Sequence, residues 1–208
     1  MSNIITISRE FGSGGRELGK RLSEALGIPC YDQQIIELVA KEQGLDKNYV
    51  AHMSESDLRA AYPSTIARGF IAQNFTVQQS VQIAASQHRL IRELAEKGDC
   101  VIVGRCADTI LEDLSPLNIF VYADRDSKLN RCLARADEKE ALSQREILKK
   151  MKQIDRNRAE YRKIYSGSTW GRKENYHLCI NTSGKEIKSL IPALAAYAKA
   201  WFAENQTR

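Results

Sequence analysis

The sequence predicts an α/β fold in three layers, with a central parallel sheet and helices on both of its faces. Three observations lead there. Short apolar, β-branched runs alternate along the chain with stretches of helical periodicity, the pattern of a parallel sheet whose crossovers are helices. The first of those runs leads directly into a glycine-rich loop and then a helix. The 208 residues, 43% hydrophobic and 27% charged, suffice for one buried core and leave no room for a long disordered tail. The chain is therefore read as one domain, residues 1–208.

Asn3 to Ser8 is the first strand, because Ile4, Ile5, Thr6 and Ile7 are a β-branched run that favours a buried sheet. The loop Gly12-Ser13-Gly14-Gly15 follows. Leu18, Leu22, Ala25 and Leu26 then give a helix one apolar face, which Gly27 and Pro29 end. Ile28 to Tyr31 is a second short strand, stopping at Asp32. Ile35, Ile36, Leu38 and Val39 place a helix after it, closed by the turn Gly44-Leu45-Asp46. Between Ser54 and Gln82 the apolar residues show no clean period and Pro63 and Gly69 interrupt them, so short helices and loops are expected. A long helix over about Gln78 to Lys97 presents Val81, Ala84, Ala85, His88, Ile91, Leu94 and Ala95, and stops at Gly98. Cys100 to Val103 is a third strand running into Gly104-Arg105 and a further helical stretch. Leu117 to Tyr122 is a fourth, leading into a helix through Leu129, Cys132 and Leu133. A helix from about Ser143 to Ile164 and a last strand at Leu178 to Ile180 follow. The C-terminal helix carries Ile187, Leu190, Ile191, Leu194, Tyr197 and Trp201 on one side, with Pro192 placed to kink it.

Composition removes several function classes. The five cysteines are odd in number, lack a CxxC pair and fall in or beside apolar segments, which suits reduced, buried thiols rather than a disulfide or zinc framework. His52, His88 and His177 have no metal-ligand spacing. The amino terminus has no basic leader and no apolar run reaches membrane-spanning length, so a cytoplasmic protein without membrane contact is expected. Net charge is +5, but Arg125 to Lys173 alone holds 15 Lys and Arg against 7 Asp and Glu. Such a local positive field points to phosphate or another polyanion, or else to a solvated helix face. Tyr161, Tyr165, Trp170 and Tyr176 could be a stacking platform for RNA. Core packing explains the same rings, and no RNA-binding signature accompanies them, so a nucleic-acid partner is not expected.

In parallel sheets ligands collect at the carboxyl ends of the strands, which is where Ser8 to Arg16, Asp32 and Gly104-Arg105 all fall. Backbone N–H groups of a glycine loop at a helix start form an anion site, although a tight strand-to-helix turn would use glycine too. The phosphate-loop pattern GxxxxGK[ST], in the register the strand and helix impose, puts Arg9 at the first Gly, Gly15 at the Lys and Arg16 at the Ser/Thr. A shifted register at Gly14 to Gly19 restores a lysine, Lys20, but carries the loop well past the strand. In the first register Gly12, Ser13, Gly14, Gly15 and Arg16 hold the phosphates, and Arg16 supplies the cation, with Arg9 or Lys20 in reserve. Asp32 either caps the following helix or faces a ligand. Arg105 either grips a phosphate or pairs at a helix start.

The runs ITISREFGSGGRELGKRLSEALGIPCYD, CVIVGRCAD, DRNRAEYRKIY and WGRKENYHLCINTS, in that order, resemble the cytidylate kinase-like family over Ile4 to about Ser183. That resemblance implies a three-layer, P-loop nucleoside-kinase-like fold with a helical lid in the basic region, about 125–173, and an acceptor-side helical insert at about 33–77. It implies transfer of a phosphoryl group from ATP, with Mg²⁺, to a small nucleoside monophosphate such as CMP or dCMP. Gly104-Arg105 looks like the family's GR, whose arginine grips the acceptor phosphate, and Asp32 like the aspartate near the acceptor. Asp155-Arg156-Asn157-Arg158 is similar to the end of the family's RDDRDRNR run, which contacts acceptor and transferring phosphates. Met151 and Ile154 stand where that run has arginines. Arg131, Arg135 and Arg162 join Arg156 and Arg158 as lid guanidiniums that would close over ATP. Such a set suits phosphoryl transfer, which needs positioning and cationic charge more than a general base. The loop leaves the Mg²⁺ ligand unassigned, with Ser13 and Asp32 as candidates. A kinase of another small acceptor, or a nucleotide-binding protein without turnover, are the alternatives.

Overall fold

The computed structural model of the protein describes residues 2–48, 50, 70–135 and 143–206. Five parallel strands form one sheet: β1 (Ile4–Arg9), β2 (Cys30–Tyr31), β3 (Cys100–Val103), β4 (Leu117–Tyr122) and β5 (Leu178–Asn181), in the spatial order β2-β3-β1-β4-β5. Register runs from Ile4 opposite Cys100 to Ile7 opposite Val103 on one side of β1, and from Ile5 opposite Leu117 to Arg9 opposite Val121 on the other. The seven helices described are α1 (Gly15–Leu26), α2 (Gln33–Gln43), α3 (Phe70–Glu96), α4 (Ala107–Ile110), α5 (Arg125–Leu133), α6 (Gln144–Ser166) and α7 (Ile187–Gln206).

Alternation along the strands sorts side chains into two cores. Ile5, Ile7, Val101, Val103, Leu117, Ile119 and Val121 join Leu18 and Leu22 of α1 and Ile187, Ile191, Ala195 and Ala198 of α7 on one face. Ile4, Cys100 and Ile102 join Ile35 and Val39 of α2, Ile83, Ile91 and Leu94 of α3, and Ala107 and Leu111 on the other. Both faces are covered, which is why the strands read as nearly continuous apolar runs. Thr6 is the polar interruption, and its hydroxyl, 2% exposed as a residue, donates to Asn118 Oδ1 at 2.6 Å across the β1–β4 pair.

Several expectations shift. The expected helix from Gln78 begins eight residues earlier, at Phe70, so at least 70–82 is continuous helix rather than short helices and loops; 51–69, with His52, Pro63 and Gly69, lies outside the described residues. The buried face of α3 is also rotated, with Ile83, Ser86 and Gln87 inside while Val81 is 59% exposed. Ala25 of α1 is exposed, and Gly19 and Ser23 share its buried side, because a Cβ on Gly19 would come within 2.8 Å of Val103 Cγ2 where helix and sheet meet. In α7, Ala195 and Ala198 are buried and Tyr197 is at the surface; Pro192 sits on an exposed position and the helix continues past it. Ser143 caps α6 reciprocally with Glu146, whose carboxylate accepts the Ser143 N–H at 2.8 Å. No described helix is long and apolar enough to cross a membrane.

Candidate active site

The loop between β1 and α1 is bent by Gly12 and Gly14, at φ of 78° and 84°, conformations that side chains disfavour. No side chain caps α1, so its leading N–H groups point out of the helix end toward the loop. Three other elements tie that loop in place. From α6, Asp155 Oδ1 accepts the Phe11 N–H at 2.7 Å and Arg158 Nη1 donates to the Arg9 carbonyl at 3.0 Å. From α5, Lys128 Nζ reaches Glu10 Oε2 at 2.8 Å. Beyond β5, the Thr182 hydroxyl donates to the Ser13 carbonyl at 2.7 Å. A Cβ on Gly12 would lie 2.9 Å from the Lys128 carbonyl and 3.1 Å from Cys132 Sγ, so α5 presses directly on the loop.

At the end of β3, Gly104, Arg105 and Cys106 have φ of 82°, 58° and 53°. Two consecutive non-glycine residues in the left-handed region cost about 1–2 kcal/mol each, and strain of this kind concentrates at functional sites. Here it turns Arg105 into a narrow cleft. Ser8, Arg9, Gly104, Arg105 and Cys106 line one side of it; Asn157, Arg158, Tyr161 and Arg162 of α6, with Trp170, line the other. The Tyr161 hydroxyl is buried and has no hydrogen-bond partner among the described residues, and burial pushes the phenol above its ordinary range. The neighbouring rings pack into the molecule: Tyr161 lies 4.4 Å from Tyr165, and Trp170 and Tyr176 lie 5.4 and 4.9 Å from Phe120, centroid to centroid.

Arg9 occupies the floor of the cleft. Its side chain, 11% exposed, passes over Gly15, where an added Cβ would be 2.5 Å from Arg9 Cβ and 3.0 Å from Cγ. Its guanidinium lies against Gly104 so closely that a Cβ there would overlap it. Asp32 Oδ1 is 3.6 Å from Arg9 Nη2, and the other carboxylate oxygen pairs with Arg16 Nε. Asp32 stands at the N-cap position of α2 but makes no capping bond, so of its two readings the capping one is overturned.

The predicted site residues divide. Arg105, Arg158 and Asn157 meet in the cleft beside the Gly12–Gly15 loop. Arg16 is 57% exposed and turned to Asp32. Arg131 braces the back of the loop, donating to the Thr182 hydroxyl at 3.2 Å, the Lys185 carbonyl at 3.0 Å and the Ser13 carbonyl at 3.5 Å. Arg135 pairs with Glu17 in the first turn of α1. Arg162, expected in the lid, is buried: it pairs with buried Asp108, donates to Ser168 Oγ at 2.8 Å and lies 5.3 Å over the Tyr176 ring. Arg156 is not in the cleft lining and donates to Gln153 Oε1 at 3.2 Å, with Glu160 Oε1 at 3.9 Å. Asp155, expected at the acceptor, is spent on the loop, and burial holds its carboxyl above the ordinary range despite the Phe11 N–H and Arg158. Sequence reasoning missed Lys128, which no motif distinguishes, and Glu10 and Thr182, which lie inside the quoted runs without a signal of what they hold.

Neither candidate fits Mg²⁺. Ser13 is fully buried with its hydroxyl donating to the Glu10 carbonyl at 2.8 Å, and Asp32 is held by two guanidiniums. Among the described residues no three His, Cys, Asp or Glu side chains cluster as metal ligands.

A sequence model of the cytidylate kinase-like family matches residues 4–184. The crystal structure of an uncharacterized protein from Eubacterium ventriosum is similar over 95% of this chain and 98% of that one, at 30% identity and a TM-score of 0.67. Shikimate kinase from Bacteroides thetaiotaomicron is similar over 96% and 99%, at 13% identity and a TM-score of 0.56. Shikimate kinase from Acinetobacter baumannii, in complex with shikimate, is similar over 100% and 96%, at 15% identity and 0.51. These two share the P-loop kinase fold with this chain. No curated protein sequence matches it.

Proposed function

This chain belongs to the cytidylate kinase-like family, and from that premise we propose that it transfers the terminal phosphoryl group of ATP to a nucleoside monophosphate, CMP or dCMP, giving the diphosphate. The observation that carries the reading is the meeting of Arg105 and Arg158 in one cleft beside a glycine loop held from three sides. The donor phosphates lie on the loop N–H groups and the start of α1, and the two guanidiniums take the acceptor phosphate as a fork. An acceptor phosphate oxygen then attacks the terminal phosphorus as the bond to the bridging oxygen breaks and ADP leaves. The acceptor is already anionic at neutral pH, so no side chain need remove a proton. Mg²⁺ would neutralise donor phosphates; the residues as placed form no site for it, and no step here runs through the ion. The Tyr161 hydroxyl is available to a polar group of the acceptor.

One observation favours a different small acceptor for the same transfer. Met151, where the related run has an arginine, is buried in packing and not at the cleft, so that contact is absent. The test is ADP release by the protein with Mg-ATP against CMP, dCMP, UMP, AMP and GMP. Turnover on CMP or dCMP, reduced about 100-fold or more in Arg105→Ala, is the expected result. Silence across all five with ATP still bound would overturn the cytidine reading.

A further inference from the structure

We propose that Arg9, at the end of the first strand, replaces the lysine that the glycine loop lacks and is the side chain that holds the terminal phosphate of the donor. This rests on the phosphoryl-transfer reading above. Position is the first support. Gly15 stands where the phosphate-loop lysine would be, and of the three cations near enough in sequence, Arg16 is half out in solvent beside Asp32 and Lys20 is on the exposed side of α1. Only Arg9 of the three lines the cleft.

Sterics are the second support. Gly15 has no positive φ, so its backbone does not require glycine; the Arg9 stem does, because any Cβ at 15 would meet it. Gly104 is likewise the space into which the Arg9 guanidinium fits. The side chain therefore runs from the helix end that receives the donor phosphates to the strand end that presents Arg105. That is the line along which a phosphoryl group would travel, and a fixed, planar, permanently charged fork matches its oxygens. Asp32 keeps the guanidinium aimed, at 3.6 Å, and belongs to the same device as a positioning residue.

The arrangement makes the lysine and the arginine mutually exclusive, and that is testable. Arg9→Ala should lose about 100-fold or more in kcat and about 10-fold or more in ATP affinity. Gly15→Lys alone should also be impaired, because the new side chain meets the Arg9 stem. Arg9→Gly combined with Gly15→Lys, which removes the Arg9 Cβ as well as its stem, should recover at least about 10-fold over either single variant, a rescue that a merely structural role for Arg9 would not produce. Should Arg9→Ala fail to fold, Arg9→Met, which keeps the packed stem, takes its place where Gly15 is unaltered. Calorimetric ATP affinity is measured in parallel on every variant without acceptor. Unchanged ATP affinity in the folded Arg9 variant, or a double variant no better than either single one in affinity and rate, overturns the proposal. If the unaltered protein proves to have no turnover, ATP affinity alone decides: its loss on removing Arg9 upholds the arginine and sinks only the transfer reaction.

Discussion

Asp155 shows how a single side chain can be legible in type and misread in task. An Asp in an Asp-Arg-Asn-Arg run invites a ligand role, yet its oxygen takes the Phe11 N–H and its carboxyl is buried enough that desolvation outweighs that bond and Arg158. Because its folded value lies above the ordinary 3.8, the folded state holds this proton more tightly than the unfolded chain. Its contribution is therefore favourable below pH 3.8 and is lost as pH rises through the raised folded value. At neutral pH the charge is a net cost and the hydrogen bond a gain. Asp155→Asn keeps an acceptor for Phe11 and removes the charge, so its thermal midpoint at pH 7 should equal or exceed that of the unaltered protein, with a flatter acid-side profile. Asp155→Ala strands the Phe11 N–H and should cost about 1–3 kcal/mol in urea unfolding. Arg9 is the complementary case. Its charge is plain in the sequence, but nothing local tells that its stem crosses Gly15 and its head meets Gly104.

At the scale of elements, α6 arranges Asp155, Arg158 and Arg162 at i, i+3 and i+7, one face of a helix. That face does three things at successive depths: it tethers the loop, lines the cleft, and anchors the helix to α4 through the buried Arg162–Asp108 pair. The charge pattern of the basic stretch cannot separate these, because a guanidinium that faces solvent and one that faces a buried carboxylate are the same letter. Removing one partner of a buried pair leaves the other uncompensated. Arg162→Met should lower stability by about 3–5 kcal/mol, and Arg162→Met with Asp108→Leu should regain most of that loss, both read from urea midpoints. If the single variant costs less than the double, Arg162 is not the anchor described. The start of the long helix α3 is hidden in the sequence for a related reason: propensity is weak over Phe70 to Gln82, and the helix is continuous there all the same.

For the molecule as a whole, one parallel sheet with both faces covered sets a rigid platform, and the loop, the Arg105 turn and α6 converge at its carboxyl edge. Ligand binding to such a preformed site should register as global stabilisation. ADP at 100 times its dissociation constant should add about 2.7 kcal/mol, a rise of roughly 5–10 °C in Tm for a chain of this size, by differential scanning fluorimetry. The sequence by itself determined the α/β class, the strands Cys100–Val103 and Leu117–Tyr122 residue for residue, the position of the glycine loop and the placement of Arg105 at a strand end. It did so because buried parallel strands demand contiguous apolar runs and a phosphate loop demands glycine, and both are local signals. Tertiary structure alone decided which arginines meet. Arg9, Arg105 and Arg158 share a cleft whose wall also holds Arg162, paired to Asp108, while Arg16 and Arg131 are drawn to Asp32 and the Thr182 turn. The physical reason is that a guanidinium's partner is set by distances across the fold between residues as far apart as 9 and 158, and those distances exist only once the sheet has brought the strand ends together.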